Sequence, residues 1–510
     1  MISAQSNYCP RALRPSFHRL ASVFCTMVIC GVVRVNALAS PPSVTVVDII
    51  PEFEWFSGET DANTEPDLAV NPANALQMAA FASFSDPIGA NLSWILVSTD
   101  GGTTWKPHST VPIDQMSQDA TLQFSGLSNM LYVAALNDNW QFFVCRSSEL
   151  AQRAMDSPLR QLQSKVDQPY IVAATIDQKD RIFVGVNDWD GPRRRSNGKE
   201  TARTAAIVRS LDGTAKSPNS DFTHVPIEFG DPVRDSAEIR PAVSADGKKV
   251  YSVFNRLISI DGNKRVGDVI LVRDDEGGNS GAASFTALHD DNGVAGFPVV
   301  KARTFLFDWD DGASHFEAYL GKDQLGGDLA IAVDPQHAET VYLVWGEVLD
   351  DQPVLHVTRS TDGGQKWSGI LHTVKNAKNP GLAINNNGTL AFLYQQVVTD
   401  AGGQETWFTK VELTKDDFQS VNSLTLSKFP VAELDKIDIQ PRLGDYLRLT
   451  AVKDTFYGIF AASNVPDQSR FPSGVTFQRP KDFATKKLLN QDGKEVQSSV
   501  DPFFFKVTEQ

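Results

Sequence analysis

Cysteine is the scarcest informative residue in this chain. There are four in 510 residues, and Cys9, Cys25 and Cys30 fall within the first 39. Cys145 therefore stands alone in the remainder, which excludes an internal disulfide there and any cysteine-built zinc site. Other motifs are missing too. No His-Glu-x-x-His, no glycine-rich Walker or dinucleotide loop and no Gly-x-Ser-x-Gly elbow occurs, which sets aside zinc-hydrolase, nucleotide-binding and serine-esterase chemistry. Helical periodicity is weak, and Ser148 to Leu162 is its best stretch. Acidic residues are absent before Asp48 and outnumber basic ones overall, giving a net charge of −15.

The acid-free leader has its own character. Arg11, Arg14 and Arg19 precede the apolar run Leu20 to Val33, and Ala37-Leu38-Ala39 supplies a small-x-small cleavage pattern. The pattern predicts a secretory signal peptide over residues 1–39 and a secreted, extracellular domain over 40–510. The run is too short to span a bilayer comfortably, so no membrane insertion is expected after cleavage. Removing the leader takes away Arg11, Arg14, Arg19 and Arg34 and no acid, so the charge falls from −15 to −19. Such a surface repels nucleic acid and anionic membranes. Cys145 lies in the apolar run Phe142-Phe143-Val144-Cys145 and reads as a buried, inert thiol. Asn91-Leu92-Ser93 and Asn387-Gly388-Thr389 are glycosylation acceptors if the host is eukaryotic.

What the chain does have is internal repetition. Ser98-Thr99-Asp100-Gly101-Gly102-Thr103-Thr104-Trp105 returns as Ser360-Thr361-Asp362-Gly363-Gly364-Gln365-Lys366-Trp367. Ser and Asp side chains bond nearby backbone amides to build a turn, and Gly accepts the positive φ that closes it. Apolar runs precede both copies, at Trp94 to Val97 and Val354 to Val357, so each is a hairpin staple between strands. Degenerate relatives follow at Ile207 to Gly213 and Val269 to Asp275.

A second element recurs: a polar entrance, a short strand, a turn and an apolar strand. It begins near Glu65, Gln118, Asp167, Arg240, Asp328, Asn379 and Gly444. Seven units that each yield about four strands predict a single all-β domain, a β-propeller with seven blades. Ser43-Val44-Thr45-Val46-Val47 pairing with Pro502 to Val507 would close the ring and remove an exposed edge.

The spacing S-x-D-x-G-x-T-W resembles the Asp-box of sialidases and other BNR-repeat proteins, with Lys366 replacing Thr in the second copy. The resemblance implies a propeller, with six blades as the alternative count because Asp-box sialidases have six. It also implies an arginine triad, an aspartate acid/base and a tyrosine nucleophile. No arginine occurs between Ser40 and Val97, so the first arginine motif of true sialidases is missing. Arg240 and Arg442 could stand for the other two arginines and Tyr446 for the tyrosine.

Repeat register places Asp67, Asp119, Asp328 and Asp445 at nearly equivalent strand entrances, with Tyr446 beside the last. These are the candidate catalytic residues, since converging carboxyls can supply a general acid and a base or nucleophile. Asp167, Arg240 and Arg442 lie near the same entrances and are candidate substrate ligands; so is Trp309, within the aromatic and acidic insertion Phe305 to Asp311. The bland reading of the repeated acids is that they cap strands by accepting backbone N–H groups. A carboxylate ring also suits calcium, although no contiguous calcium loop is present, and no other cofactor is expected. Two function classes result: a glycosidase-like enzyme acting on a glycan or other polyhydroxylated ligand, and a non-catalytic binding propeller. The basic cluster Arg193-Arg194-Arg195 sits in a polar insertion, Asp190 to Arg203, that reads as a loop.

Overall fold

The computed structural model describes residues 41–509 apart from 54, 55, 57, 61, 83–93, 112–118, 127, 128, 138, 149–159, 189–193, 197, 198, 216–221, 231–237, 262, 263, 307–319, 322, 324, 326, 327, 438–440 and 446. Turn-rich sequence with apolar runs of strand length gives an almost purely antiparallel β structure. Among the described residues the only helical elements are three short 3-10 turns, and no helix is long and apolar enough to cross a membrane.

The strands fall into four-stranded meanders, each running outward from a central strand. The first comprises Asp67–Val70, Met78–Phe81, Trp94–Ser98 and Lys106–Thr110. The second holds Ala120–Phe124, Leu131–Leu136, Gln141–Ser147 and the first part of Arg160–Ile176; the rest of that long strand opens the third, followed by Lys179–Asp188, Lys199–Ser210 and Phe222–Gly230. The fourth starts at Arg240–Val243, the fifth at Leu329–Val333 and the sixth at Ala377–Ile384. The seventh is composite: Arg448–Val452 and Thr455–Ser463 pair onward with Val500–Thr508 and then Ser43–Asp48. Each innermost strand packs against the next, and the last packs against the first. The ring is a β-propeller.

Closure is by the two chain ends, with Ser43 opposite Thr508 and Asp48 opposite Phe503. Arg479 locks this join from a fully buried position. Its guanidinium pairs with Asp501, lies 3.7 Å from Asp48 and donates to the Glu59 carbonyl at 3.0 Å.

The core is a ring of interfaces between neighbouring sheets. Leu68, Leu96 and Trp105 meet Ile459 and Phe504; Ala69 and Ile95 meet Leu122 and Val133; Phe183 and Ile207 meet Val250 and Ile270. Apolar residues on both faces of a strand are therefore buried, because each sheet is covered on both sides.

The Ser-x-Asp-x-Gly turns connect third to fourth strands at the end of the ring away from the inner-strand entrances. In the first copy Asp100 Oδ1 accepts Thr103 N and Thr104 N at 3.1 and 2.9 Å, Gly102 N donates to Ser98 Oγ at 2.9 Å, and Trp105 Nε1 donates to the Gly102 carbonyl. Asp362, Gly364, Ser360 and Trp367 repeat that pattern with bonds of 2.8 to 3.1 Å. A third turn, Thr414 to Ser420, follows it with Thr414 in the serine place and Phe418 where glycine would stand. Glycine is needed at Gly102, where φ is +87° and a Cβ would overlap the Phe504 ring of the preceding sheet. Arginines of the preceding sheet clasp these turns: Arg146 donates to the Gly213 carbonyl at 2.5 Å, Arg181 to Gly277 at 2.7 Å and Arg273 to Gly363 at 2.6 Å.

Two local expectations change. Residues 149–159 of the helical stretch lie outside the described residues, and Arg160 to Leu162 belong to a strand. The insertion around Asp190 to Arg203 carries a β-hairpin, with Arg194–Ser196 paired to Lys199–Thr201, because the third strand of that sheet begins before Ala205, where its pairing with the second strand starts.

Candidate functional site

The innermost strands enter the ring from one end, and their entrances share an unusual backbone. Glu65, Gln168, Glu238, Asp328 and Asn379 all have φ between 46° and 55°. That left-handed conformation is disfavoured for residues with a Cβ and persists where the surroundings hold it. Proline follows at Pro66, Pro169 and Pro380, and proline discourages the right-handed helical conformation in the residue before it. The kink sets these five polar residues at the mouth of the central channel.

Several of these side chains staple neighbouring sheets. Asp67 Oδ1 accepts Leu122 N at 2.9 Å, Thr121 Oγ accepts Ile171 N at 3.0 Å and Asn187 Oδ1 accepts Glu238 N at 2.9 Å. Glu238 Oε1 then accepts Leu329 N at 3.2 Å, Asp328 Oδ1 accepts Asn379 N at 2.8 Å, and Asn379 Nδ2 donates to the Gly444 carbonyl at 3.0 Å. The entrances thus hand hydrogen bonds around the ring. Backbone amides at sheet edges that would otherwise be buried without an acceptor are satisfied this way.

Other carboxyls at the mouth meet one another. The Glu65 carboxyl hydrogen-bonds the Asp119 side chain and feels the charges of Asp445 and Asp167; burial first, and then these acids, hold it well above the usual carboxylate range. Asp445 accepts Gln168 Nε2 at 3.3 Å and is pushed by burial to about 6, with Lys378 opposing the rise and Asp119 and Asp323 adding to it. Burial also raises Asp67 and Asp328 to about 6, opposed chiefly by Arg448 and Lys378 respectively. Glu238 rises to about 7 by burial, with Arg240 opposing.

The cations are built into the same network. Lys378 Nζ donates to Asp323 Oδ2 at 3.0 Å, both side chains being wholly buried, and Asp323 Oδ1 also accepts Arg442 N at 2.6 Å. Arg240 Nη2 donates to Glu238 Oε1 at 2.8 Å. Arg448 donates to Gln123 Oε1 at 2.9 Å and to the Ile171 carbonyl at 3.1 Å, and lies 3.9 Å from Asp67. The guanidinium carbons of Arg240 and Arg448 lie 4.8 and 4.4 Å from the centre of the Tyr170 ring. Below this collar runs a cavity of about 280 Å³, walled by the innermost strands and touched by Gln123, Tyr170, Glu238, Arg240, Asp445 and Arg448.

Of the residues expected from sequence, Asp67, Asp119, Asp167, Asp328, Asp445 and Arg240 gather at this mouth. Their repeat register is uneven. Asp67 opens its strand, Asp119 and Asp328 precede theirs by one residue, and Asp445 precedes Arg448–Val452 by three, so their side chains point differently. Arg442 stands beside the cluster and turns its Nε to the Ile437 carbonyl at 2.9 Å. Tyr446 and Trp309 lie outside the described residues. Sequence reasoning missed Glu65, Glu238, Tyr170, Lys378 and Arg448. A polar residue before proline at a strand entrance, as in Glu65-Pro66 and Gln168-Pro169, was the available signal. Among the described residues no group of three or more His, Cys, Asp or Glu side chains is arranged to hold a metal ion.

Fold and site together define a β-propeller with an acidic, hydrogen-bonded channel mouth. No protein-family model matches the chain, and no curated protein is significantly similar to it. Solved structures with a similar chain path include the GH74 enzyme of Niastella koreensis, at 12% identity over 82% of this chain and 76% of that one, with a TM-score of 0.32. A PL25 ulvan lyase is 8% identical over 79% of this chain and 92% of its own, with a TM-score of 0.44. Sqt1 of Chaetomium thermophilum is 13% identical over 81% and 82%, with a TM-score of 0.38.

Proposed function

We propose that the protein is a secreted propeller of seven blades, one per four-stranded sheet, that acts on a glycan or other polyhydroxylated ligand by carboxyl acid–base chemistry. The observation that carries this reading is the hydrogen-bonded Glu65–Asp119 pair beside Asp445 and Asp167. A carboxyl hydrogen-bonded among other carboxyls places a general acid and a general base within reach of one bond. Burial and the neighbouring acids favour the protonated form of Glu65, which would donate that proton to a leaving oxygen. Asp445, with a midpoint near 6, is ionised there and would activate water or stabilise a developing cation. Gln123, Gln168 and Tyr170 supply neutral hydrogen-bonding groups suited to hydroxyls. In this reading residues 1–39 are a cleaved signal peptide, and the Ser-x-Asp-x-Gly turns are Asp-boxes with a purely structural task.

A second reading is a non-catalytic binding propeller. It is favoured by the staples, since Asp67, Glu238 and Asp328 each commit an oxygen to a backbone amide of the next sheet. One experiment separates the two. Domain 40–510 is incubated with a broad oligosaccharide library and the mixture is read by mass spectrometry. Cleavage that disappears in Glu65→Gln and Asp445→Asn supports the enzyme, and retention without product supports the binder. Retention of nothing removes the glycan reading.

A further inference from the structure

Resting on that acid–base reading, we propose that Asp323, with Lys378 bound to it, is a positioning residue of the channel mouth: it fastens the segment that carries Asp445 beside Glu65, so that the base and the acid of the reading face one bond.

Residues 441–445 lie ahead of the last innermost strand and belong to no strand themselves. Side chains from other sheets hold them. Asp323 accepts two successive amides of the segment, Arg442 N on Oδ1 at 2.6 Å and Leu443 N on Oδ2 at 3.3 Å. Asn379 Nδ2 donates to the Gly444 carbonyl at 3.0 Å, and the Leu443 side chain is buried in a core shared with Leu320 and Leu325, on either side of Asp323. Gly444 then lays the chain against Glu65. Its φ is +81°, and a Cβ there would lie 2.5 Å from Glu65 N and 2.9 Å from Glu65 Cα, so only glycine allows this approach. Asp445 follows directly, and the Glu65 carboxyl feels its charge.

The fastening is made with charge. Lys378 Nζ lies 3.0 Å from Asp323 Oδ2, both side chains being wholly buried, and a neutral acceptor would satisfy an amide without the desolvation of two ions. The lysine has a second effect at this place. Its charge favours the ionised form of Asp445, against burial, Asp119 and Asp323, with Arg240 helping it. Asp445 itself is half-buried and borders the cavity, where a ligand can reach it.

Two measurements test the proposal without requiring turnover. Asp323→Asn turns a donor toward one of the two amides, and hydrogen exchange read by mass spectrometry is expected to quicken at least about tenfold in the peptide covering residues 441–447 while peptides of the other sheets stay unchanged. The difference in unfolding stability between the wild type and Asp445→Asn, followed across pH, reads the titration of Asp445. In a Lys378→Met background that titration is expected to move upward, by roughly tenfold in proton affinity. If Lys378→Met does not unfold cooperatively, the double variant Asp323→Asn with Lys378→Met removes both charges and is expected to move it upward by less, because Lys378 outweighs Asp323 at Asp445. Faster exchange throughout the ring, or an Asp445 titration that the loss of Lys378 leaves in place, would overturn the proposal and leave the glycan reading to the library experiment. Both expected results with an uncleaved library would uphold the fastening and remove the acid–base role assigned to it.

Discussion

Replacing Asp67 separates the two tasks a carboxylate at the mouth can perform. Asp67 is wholly buried, its Oδ1 accepts Leu122 N at 2.9 Å, and its Oδ2 lies 3.9 Å from Arg448 with no hydrogen bond. Burial lifts its midpoint to about 6 in spite of Arg448, against about 3.9 in an unfolded chain. The folded protein therefore binds this proton more tightly than the unfolded chain does. The associated stability is complete below about pH 4 and is lost as pH rises through about 6, amounting to on the order of 3 kcal/mol at neutral pH. Asparagine keeps an oxygen for Leu122 N and carries no charge. Asp67→Asn is thus expected to raise unfolding stability by on the order of 1–3 kcal/mol at neutral pH, less whatever an amide facing Arg448 costs, and to change little near pH 4. Asp67→Ala also strands the Leu122 amide between two sheets and should lie about 1–3 kcal/mol below the asparagine variant at both pH values. Urea denaturation followed by tryptophan fluorescence measures all four quantities. Equal losses for Asn and Ala at neutral pH would refute the staple and make the charge itself the contribution. Loss of turnover in an otherwise stable Asp67→Asn protein would return Asp67 to the reacting groups.

Arg479→Met removes the guanidinium that compensates Asp48 and Asp501 at the ring closure, and a loss of about 3–5 kcal/mol is expected. Burial already raises both carboxyls, so their protonated forms favour folding; the penalty should grow as pH rises from about 4 and shrink in acid, and a pH-independent penalty by calorimetry would contradict it. Gly102→Ala combines a positive φ with overlap against Phe504 and should cost about 2–4 kcal/mol. Gly388→Ala, also at positive φ but with open space around it, should cost about 1 kcal/mol, and equal melting shifts for the two would show that packing on the next sheet is unimportant. If a cleaved glycan is found, wild-type activity should fall as pH rises through the elevated midpoint of Glu65, and Glu65→Gln should lose that limb together with at least about a hundredfold in rate. A Glu65→Gln profile that keeps the alkaline fall would assign the acid elsewhere.

The repeated turn was legible because its bonds are local. Ser98, Asp100 and Gly102 lie within five residues and carry their own geometry, so the same letters at Ser360, Asp362 and Gly364 implied the same hairpin. The third turn was overlooked because Thr414 and Phe418 replace Ser and Gly while preserving the bonds. A polar entrance before a short apolar run likewise placed the innermost strands well at Asp67, Arg240 and Leu329. At the seventh sheet the strand begins at Arg448, four residues after Gly444, because the chain kinks at positive φ before it straightens.

The site divides differently. Sequence alone determined that acids would gather at the strand entrances, since a polar residue before each short apolar strand repeats around the chain. Which acid faces the channel and which is spent on a neighbouring amide was decided only in three dimensions. A kink two residues before the strand sets Glu65 among the other acids of the mouth, whereas Asp67, Glu238 and Asp328 each accept an amide of the next sheet. The partners that set each proton affinity, Arg448 for Asp67, Lys378 for Asp328 and Asp119 for Glu65, lie some 50 to 380 residues away in the chain. Closure of the ring brings them together, and no local pattern in the sequence encodes that proximity.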